Sequence, residues 1–204
     1  DPLQGNTRYV YDDLGNLVSQ TSPDTGTTAF SYDEAGNLMY KIDANGQRLS
    51  YRYDALNRLI SIDAPGSDDD VSYTYDDCLN GNRRLCGVHR GETAIAFTYT
   101  AFGEIAGSSQ SVNSWPGIQQ ADIGLGYRYD SIGRLASVSY PGGAVVNYRY
   151  AAAGRLNAVD LNHDSTLTPL LSDMTYLPFG PVSRQRYGND VHIFGWHDEA
   201  YRPW

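Results

Sequence analysis

The sequence predicts an all-β fold, a series of tandem β-hairpins paired edge to edge into one long antiparallel meander, and three observations predict it. Tyrosine dominates the aromatic residues, at 17 against 5 Phe and 3 Trp. The tyrosines recur in pairs as Tyr-x-Tyr, the period-two spacing that places both rings on one face of a strand. The second members of these pairs, Tyr11, Tyr32, Tyr53, Tyr75, Tyr99, Tyr129, Tyr150 and Tyr176, follow one another at steps of 21, 21, 22, 24, 30, 21 and 26 residues. A fixed period with insertions marks a repeat architecture.

Composition agrees. Hydrophobic residues make up 41% of 204 residues, too many for a disordered chain and enough for one sizeable core or two small ones. Twenty-one Gly and two Met accompany the tyrosines, which favours pleated surfaces and turns over helices. The formal charge is −9, with 15 basic residues scattered among 24 acidic ones, so nucleic acid is not an expected partner. No stretch approaches the roughly 18 apolar residues of a membrane helix. No basic and apolar leader precedes Asp1, and the chain is expected to be cut from something longer.

The repeat is read most clearly in five copies. Three are consecutive: Tyr9-Val-Tyr11-Asp12-Asp-Leu-Gly15, Phe30-Ser-Tyr32-Asp33-Glu-Ala-Gly36 and Tyr51-Arg-Tyr53-Asp54-Ala-Leu-Asn57-Arg58-Leu59. Two more are Tyr127-Arg-Tyr129-Asp130-Ser-Ile-Gly133-Arg134-Leu135 and Tyr148-Arg-Tyr150-Ala-Ala-Ala-Gly154-Arg155-Leu156. Weaker copies sit at Tyr73–Gly81 and Phe97–Ile105, and an eighth covers Met174–Val182. Within each unit the Asp opens a turn by accepting backbone N–H groups two or three residues on. The Gly takes the left-handed conformation that closes a type I turn with a G1 bulge, and Asn57 stands in for it in the third copy. The Leu starts the returning strand. A second turn, marked by Pro23–Gly26, Asn45-Gly46, Pro65-Gly66 or Pro141–Gly143, leads to the next hairpin. Residues 1–204 are thus expected to be a single repeat domain of about eight hairpins, with insertions near 107–124 and 160–172 that project from the rim.

The pattern Tyr-x-Tyr-Asp-x-x-Gly-Arg-Leu resembles the YD repeat of bacterial Rhs proteins, insecticidal toxin-complex C components and teneurins, over residues 8 to 187. The resemblance implies a spiral β-sheet that closes, in long members, into a hollow shell around a C-terminal toxin, or supports adhesion in teneurins. Shells of this kind end in a cleavage core with a Pro-x-x-x-x-Asp-Pro-x-Gly-Leu-like motif, which is absent here. The expectation is therefore a fragment or short relative, a partial shell and a non-catalytic scaffold, secreted or at a bacterial cell surface. Its partners would be a toxin or effector domain, or further copies through the sheet edges. The alternative is an extracellular adhesion module that binds carbohydrate or protein through its tyrosine-rich face.

The remaining candidates are local. The Tyr-x-Tyr rings are either cross-strand packing or a binding surface. Arg58, Arg134 and Arg155 either stack on or bond beside neighbouring tyrosines, or hold an anion. Cys78 and Cys86 flank the expanded fourth turn and form either a disulfide or two free thiols. Asp160, Asn162 and Asp164 alternate like the ligands of a calcium loop but lack the glycine and the final acid, and a solvated loop is the competing reading. Asp68-Asp69-Asp70 is a similar acidic turn. His89, His163, His192 and His197 have no partner at a catalytic spacing, so neither an enzyme nor a cofactor is expected.

Overall fold

A computed structural model describes residues 5–66, 69–112, 121–178, 180–198 and 202. Seventeen strands form antiparallel sheet, and none of the described residues is α-helical. The chain divides by its contacts into two units, residues 1–97 with 110–122 and residues 98–109 with 123–204.

In the first unit the strands are β1 (Arg8–Tyr11), β2 (Leu17–Ser22), β3 (Gly26–Tyr32), β4 (Leu38–Ile42), β5 (Arg48–Tyr53), β6 (Leu59–Asp63), β7 (Val71–Tyr75), β8 (Leu85–Arg90) and most of β9 (Thr93–Tyr99). Each pairs with the next in sequence, an unbroken meander. The turn after Tyr99 leads into β10 (Ile105–Val112). In the second unit β11 (Ala121–Tyr129), β12 (Leu135–Ser139), β13 (Val145–Tyr150), β14 (Leu156–His163), β15 (Thr166–Tyr176), β16 (Val182–Tyr187) and β17 (His192–Phe194) repeat that order. Eight hairpins therefore carry the repeat turn, and β17 follows the last.

Most of these hairpins close with the same pair of backbone hydrogen bonds. Asp12 N–H donates to the Asn16 carbonyl at 2.9 Å and Gly15 N–H to the Asp12 carbonyl at 3.1 Å, the bonding of a type I turn with a G1 bulge. The third turn position has positive φ, 84° at Gly15 and 58° at Asn57. Past the turn, the second tyrosine faces the leucine: Tyr11↔Leu17, Tyr32↔Leu38, Tyr53↔Leu59, Tyr129↔Leu135 and Tyr150↔Leu156. The register then slips by one residue in every one of these pairs, and in three of them the first tyrosine lies against a β-branched residue of the returning strand. Tyr51 pairs with Ile62, Tyr127 with Val138 and Tyr148 with Val159. These aromatic–β-branched pairs each contribute roughly 0.2–1 kcal/mol.

A thick core is not what the chain builds, contrary to the expectation from its length. The buried apolar residues among those described are Cys86, Tyr99, Val138, Ala158 and Val159, and no side chain is completely enclosed. The substantial strand–strand contacts run between sequence neighbours. Stability in such a layer comes from ladders, cross-strand pairs and turn hydrogen bonds, summed repeat by repeat.

One expectation needs correction, and one open candidate falls with it. The segment 160–172 is strand and not a rim loop: β14 and β15 run on to a two-residue turn at Asp164-Ser165, with φ of 49° and 61°. That is the type I′ geometry that tightens a hairpin, and His163 pairs with Thr166 across it. The calcium loop goes with it. Asp160 is a strand residue only 4% exposed, and Arg149 holds both its carboxylate oxygens, at 2.8 and 3.1 Å. Asp164 sits exposed at the turn, so the chain does not gather the three oxygens. Of the insertion near 107–124, residues 107–112 belong to β10, and 113–120 lie outside the described residues, as does Asp68.

Candidate functional site

The residues that define the repeat converge at its turn. In the first copy Asp12 Oδ1 accepts the N–H groups of Leu14 at 3.0 Å and Asn16 at 2.8 Å, and Oδ2 accepts the Asn16 side chain at 2.9 Å. The carboxylate thus reaches two and four residues on, one further than the expected span. Asp33 is held identically by Ala35 and Asn37. Where arginine replaces that asparagine, the contact becomes charged: Arg58 Nε donates to Asp54 and Arg134 Nε to Asp130, each at 2.7 Å. These contacts hold all four carboxyls below the usual range, through the Asn16 and Asn37 side chains first for Asp12 and Asp33, and through the Arg58 and Arg134 backbone N–H first for Asp54 and Asp130. The fifth turn makes the same cage with other chemistry. Thr100 Oγ accepts from Phe102 and Glu104 N–H and donates to the Glu104 carboxylate, which lowers the Glu104 pKa.

In five units the second tyrosine reaches back to the previous one. Its hydroxyl donates to the carbonyl of the residue that starts the preceding returning strand: Tyr32 to Leu17 at 3.0 Å, Tyr75 to Leu59 at 2.9 Å, Tyr129 to Ile105 at 2.9 Å, Tyr150 to Leu135 at 2.8 Å and Tyr176 to Leu156 at 2.7 Å. Over three of these rings lies the arginine of the preceding unit. Arg58 lies 4.4 Å over Tyr75, Arg134 4.2 Å over Tyr150 and Arg155 5.0 Å over Tyr176. Arg58 also bonds Asp76 at 2.7 Å, and Arg155, whose own turn has Ala151 in place of Asp, donates instead to the Leu177 carbonyl at 2.9 Å. The third repeat therefore fastens to the fourth, and the seventh to the eighth, by a hydroxyl, a cation–π contact and an ion pair or carbonyl bond, and the sixth to the seventh by the first two. Burial raises the phenol pKa of Tyr53, Tyr75, Tyr129 and Tyr148.

A profile of the family described as RHS Repeat matches residues 1–40, 41–69 and 129–162, about half of the chain. The chain belongs to the RHS-repeat family. Solved structures place its fold among toxin-complex proteins. The TcdB2–TccC3–Cdc42 structure is 20% identical over 97% of this chain with a TM-score of 0.82. A Tc holotoxin pore of Photorhabdus luminescens is 19% identical over 97%, TM-score 0.83, and TcdB2–TccC3 alone is 20% identical over 97%, TM-score 0.83. This RHS-repeat chain spans 11% of the length of each of those chains. No curated protein sequence matches it.

The other features of the RHS-repeat chain are more local. A disulfide joins Cys78 to Cys86 across the fourth turn. Tyr9 and Tyr11 lie exposed on β1, and Gly154 closes the seventh turn by donating to the Ala151 carbonyl at 2.8 Å. Asp69 pairs with Arg90 at 2.7 Å and Asp70 accepts the Ala64 N–H at 2.8 Å. Among the described residues no group of three or more His, Cys, Asp or Glu is placed to hold a metal, and no helix is long and apolar enough to cross a membrane. One clamp escaped the sequence reading. Asp198 accepts the Arg202 N–H at 2.9 Å and its Nε at 2.6 Å, and donates its own N–H to the Arg202 carbonyl. The signal was present: Asp and Arg four apart, as in Asp54–Arg58 and Asp130–Arg134.

The turn tips are the exposed part of the repeat. In the second unit Phe102 is 91% and Ile132 71% exposed, and with Thr100, Glu104, Tyr129 and Asp130 they line an open groove of about 490 Å³. Turn positions favour polar residues, so bulky apolar side chains there stand out.

Proposed function

We propose that this chain is a non-catalytic section of wall in an Rhs-type shell that encloses or displays a toxin or effector domain. The observation that carries the reading is how the signature residues are used. The Asp, Arg and second-position Tyr side chains bond within the repeat or to an adjacent one, as structural parts do. The shell-like fold shared with the toxin-complex structures supports it. On this reading residues 1–204 act as one repeat domain, secreted or surface-exposed, where a cystine persists. The partner is protein: the enclosed domain, and further sheet at the exposed edge strands β1 and β17.

The test is protease protection of the native gene product that carries this chain. An effector polypeptide that survives digestion in the assembly, and is cut once released by denaturant, is the expected result. Equal cutting in both states would reject enclosure.

A second reading, adhesion to a protein or glycan, draws on the apolar groove at Phe102 and Ile132. Glycan and protein arrays probed with the chain and with Phe102→Ser separate the two. Binding that the substitution removes would favour adhesion.

A further inference from the structure

The fourth turn departs from the others by its length. Seven residues separate Asp76 from Arg84, where three fill the turns at Asp12, Asp33, Asp54 and Asp130. It still closes the same cage. Asp76 N–H donates to the Arg84 carbonyl at 3.2 Å, and Arg83 N–H donates to Asp76 Oδ1 at 2.6 Å. The cystine draws the extra residues in: it ties Cys78 in the turn to buried Cys86 on β8, with Cα atoms 5.5 Å apart. Gly81 fits against both sulfurs, where a Cβ would lie 2.5 Å from Cys86 Sγ.

Asp76 itself takes φ of 69°, a left-handed conformation that an aspartate tolerates without preferring. In that conformation its Oδ2 receives Arg58 Nη2, while Arg58 lies over Tyr75 and grips Asp54. The Arg58 contact to Asp76 is the leading cause of the lowered Asp76 pKa. Asp76 lies two residues before Cys78, so cystine, left-handed aspartate and the bridge between the third and fourth hairpins are continuous along the chain inside the first unit.

We infer that Cys78–Cys86 is a redox-operated joint: the cystine holds Asp76 as the anchor for Arg58, and its reduction uncouples the third hairpin from the fourth. A dithiol is the reductant. It supplies two electrons and two protons, the S–S bond breaks, Cys78 and Cys86 become thiols, and the reductant closes to its own disulfide. Without the cross-link the long turn regains the conformers that closure removed. Asp76 then leaves the left-handed region and Arg58 keeps only Asp54.

Hydrogen exchange by mass spectrometry on the full chain, oxidised and after dithiothreitol, tests this, with a Cys78→Ser/Cys86→Ser pair repeating the reduced arm without reagent. Amides of β6 and β7 should exchange about 2- to 10-fold faster on reduction, with β4 unchanged. Arg58→Met with the cystine intact removes the Asp54 and Tyr75 contacts as well, so it should accelerate β6 and β7 at least as much, and reducing that variant should add nothing there. Acceleration confined to residues 77–84 would overturn the inference. So would a full further increment on reducing Arg58→Met, or equal loosening of β4.

Discussion

The Tyr150 hydroxyl donates to the Leu135 carbonyl at 2.8 Å, with the Arg134 guanidinium 4.2 Å above its ring, so one side chain is latched twice to the hairpin before its own. Tyr150→Phe removes the hydroxyl and leaves a half-buried carbonyl without its donor. The expected loss is about 0.5–1.5 kcal/mol, read by urea denaturation. Tyr129→Phe, where the same bond runs to Ile105, should behave alike. A neutral outcome at both sites would mean that water replaces the latch at no cost.

Gly36 isolates the backbone requirement of the turn. Its φ is 83° and nothing lies within 4 Å of where a Cβ would stand, so a substitution meets conformational strain alone. Gly36→Ala should destabilise by about 1–2 kcal/mol, and Gly36→Asn by less, since Asn57 already fills the equivalent position. Thermal unfolding of the two variants gives the order.

That substitution also shows what could be read from sequence. The hairpin was legible because Asp, Gly or Asn, and Leu occupy fixed offsets from Tyr-x-Tyr, and each has a local physical reason to be there. Longer-range partners were not. That Arg58 would sit near a tyrosine followed from composition, but that the ring belongs to Tyr75 depends on the register between hairpins. Asp164-Ser165 read as part of a loop because polar residues at positive φ look the same in a loop and in a type I′ turn. Asp198–Arg202 was overlooked because Gly195-Trp196-His197 precedes its Asp where Tyr-x-Tyr precedes the Asp of the other clamps.

Acid should weaken the repeat turns together. Asp12, Asp33, Asp54, Asp76 and Asp130 all have folded pKa values below their unfolded ones. A group of this kind contributes stability that is fully present above the unfolded pKa, about 3.9, and is lost as pH falls through the folded value. The melting temperature should therefore hold near neutrality and drop below about pH 4. Asp54→Asn with Asp130→Asn should lower the neutral value and flatten that drop. An unchanged slope would place the acid sensitivity elsewhere.

Calcium should be without effect on stability. Asp160 is held by Arg149 through both oxygens, and Asp164 stands apart at the hairpin turn. Melting curves with added calcium and with chelator should superimpose. A calcium-dependent rise that Asp160→Asn abolishes would revive the loop reading.

Uncovered edges carry a cost in solution. Every residue of β1 and of β17 is exposed, including Tyr9, Val10, Tyr11, Ile193 and Phe194. Strands of this kind recruit others, and sedimentation of the isolated chain should show association that grows with concentration. Lysine at Val10 and Ile193 should reduce it.

Electron cryomicroscopy of the native gene product that carries this chain tests the central claim most directly. Residues 5–198 should form part of a continuous wall, their hairpins latched Tyr to carbonyl, around density that belongs to an enclosed polypeptide. An isolated open sheet with nothing inside it, binding a ligand through its exposed tyrosines, would contradict the account.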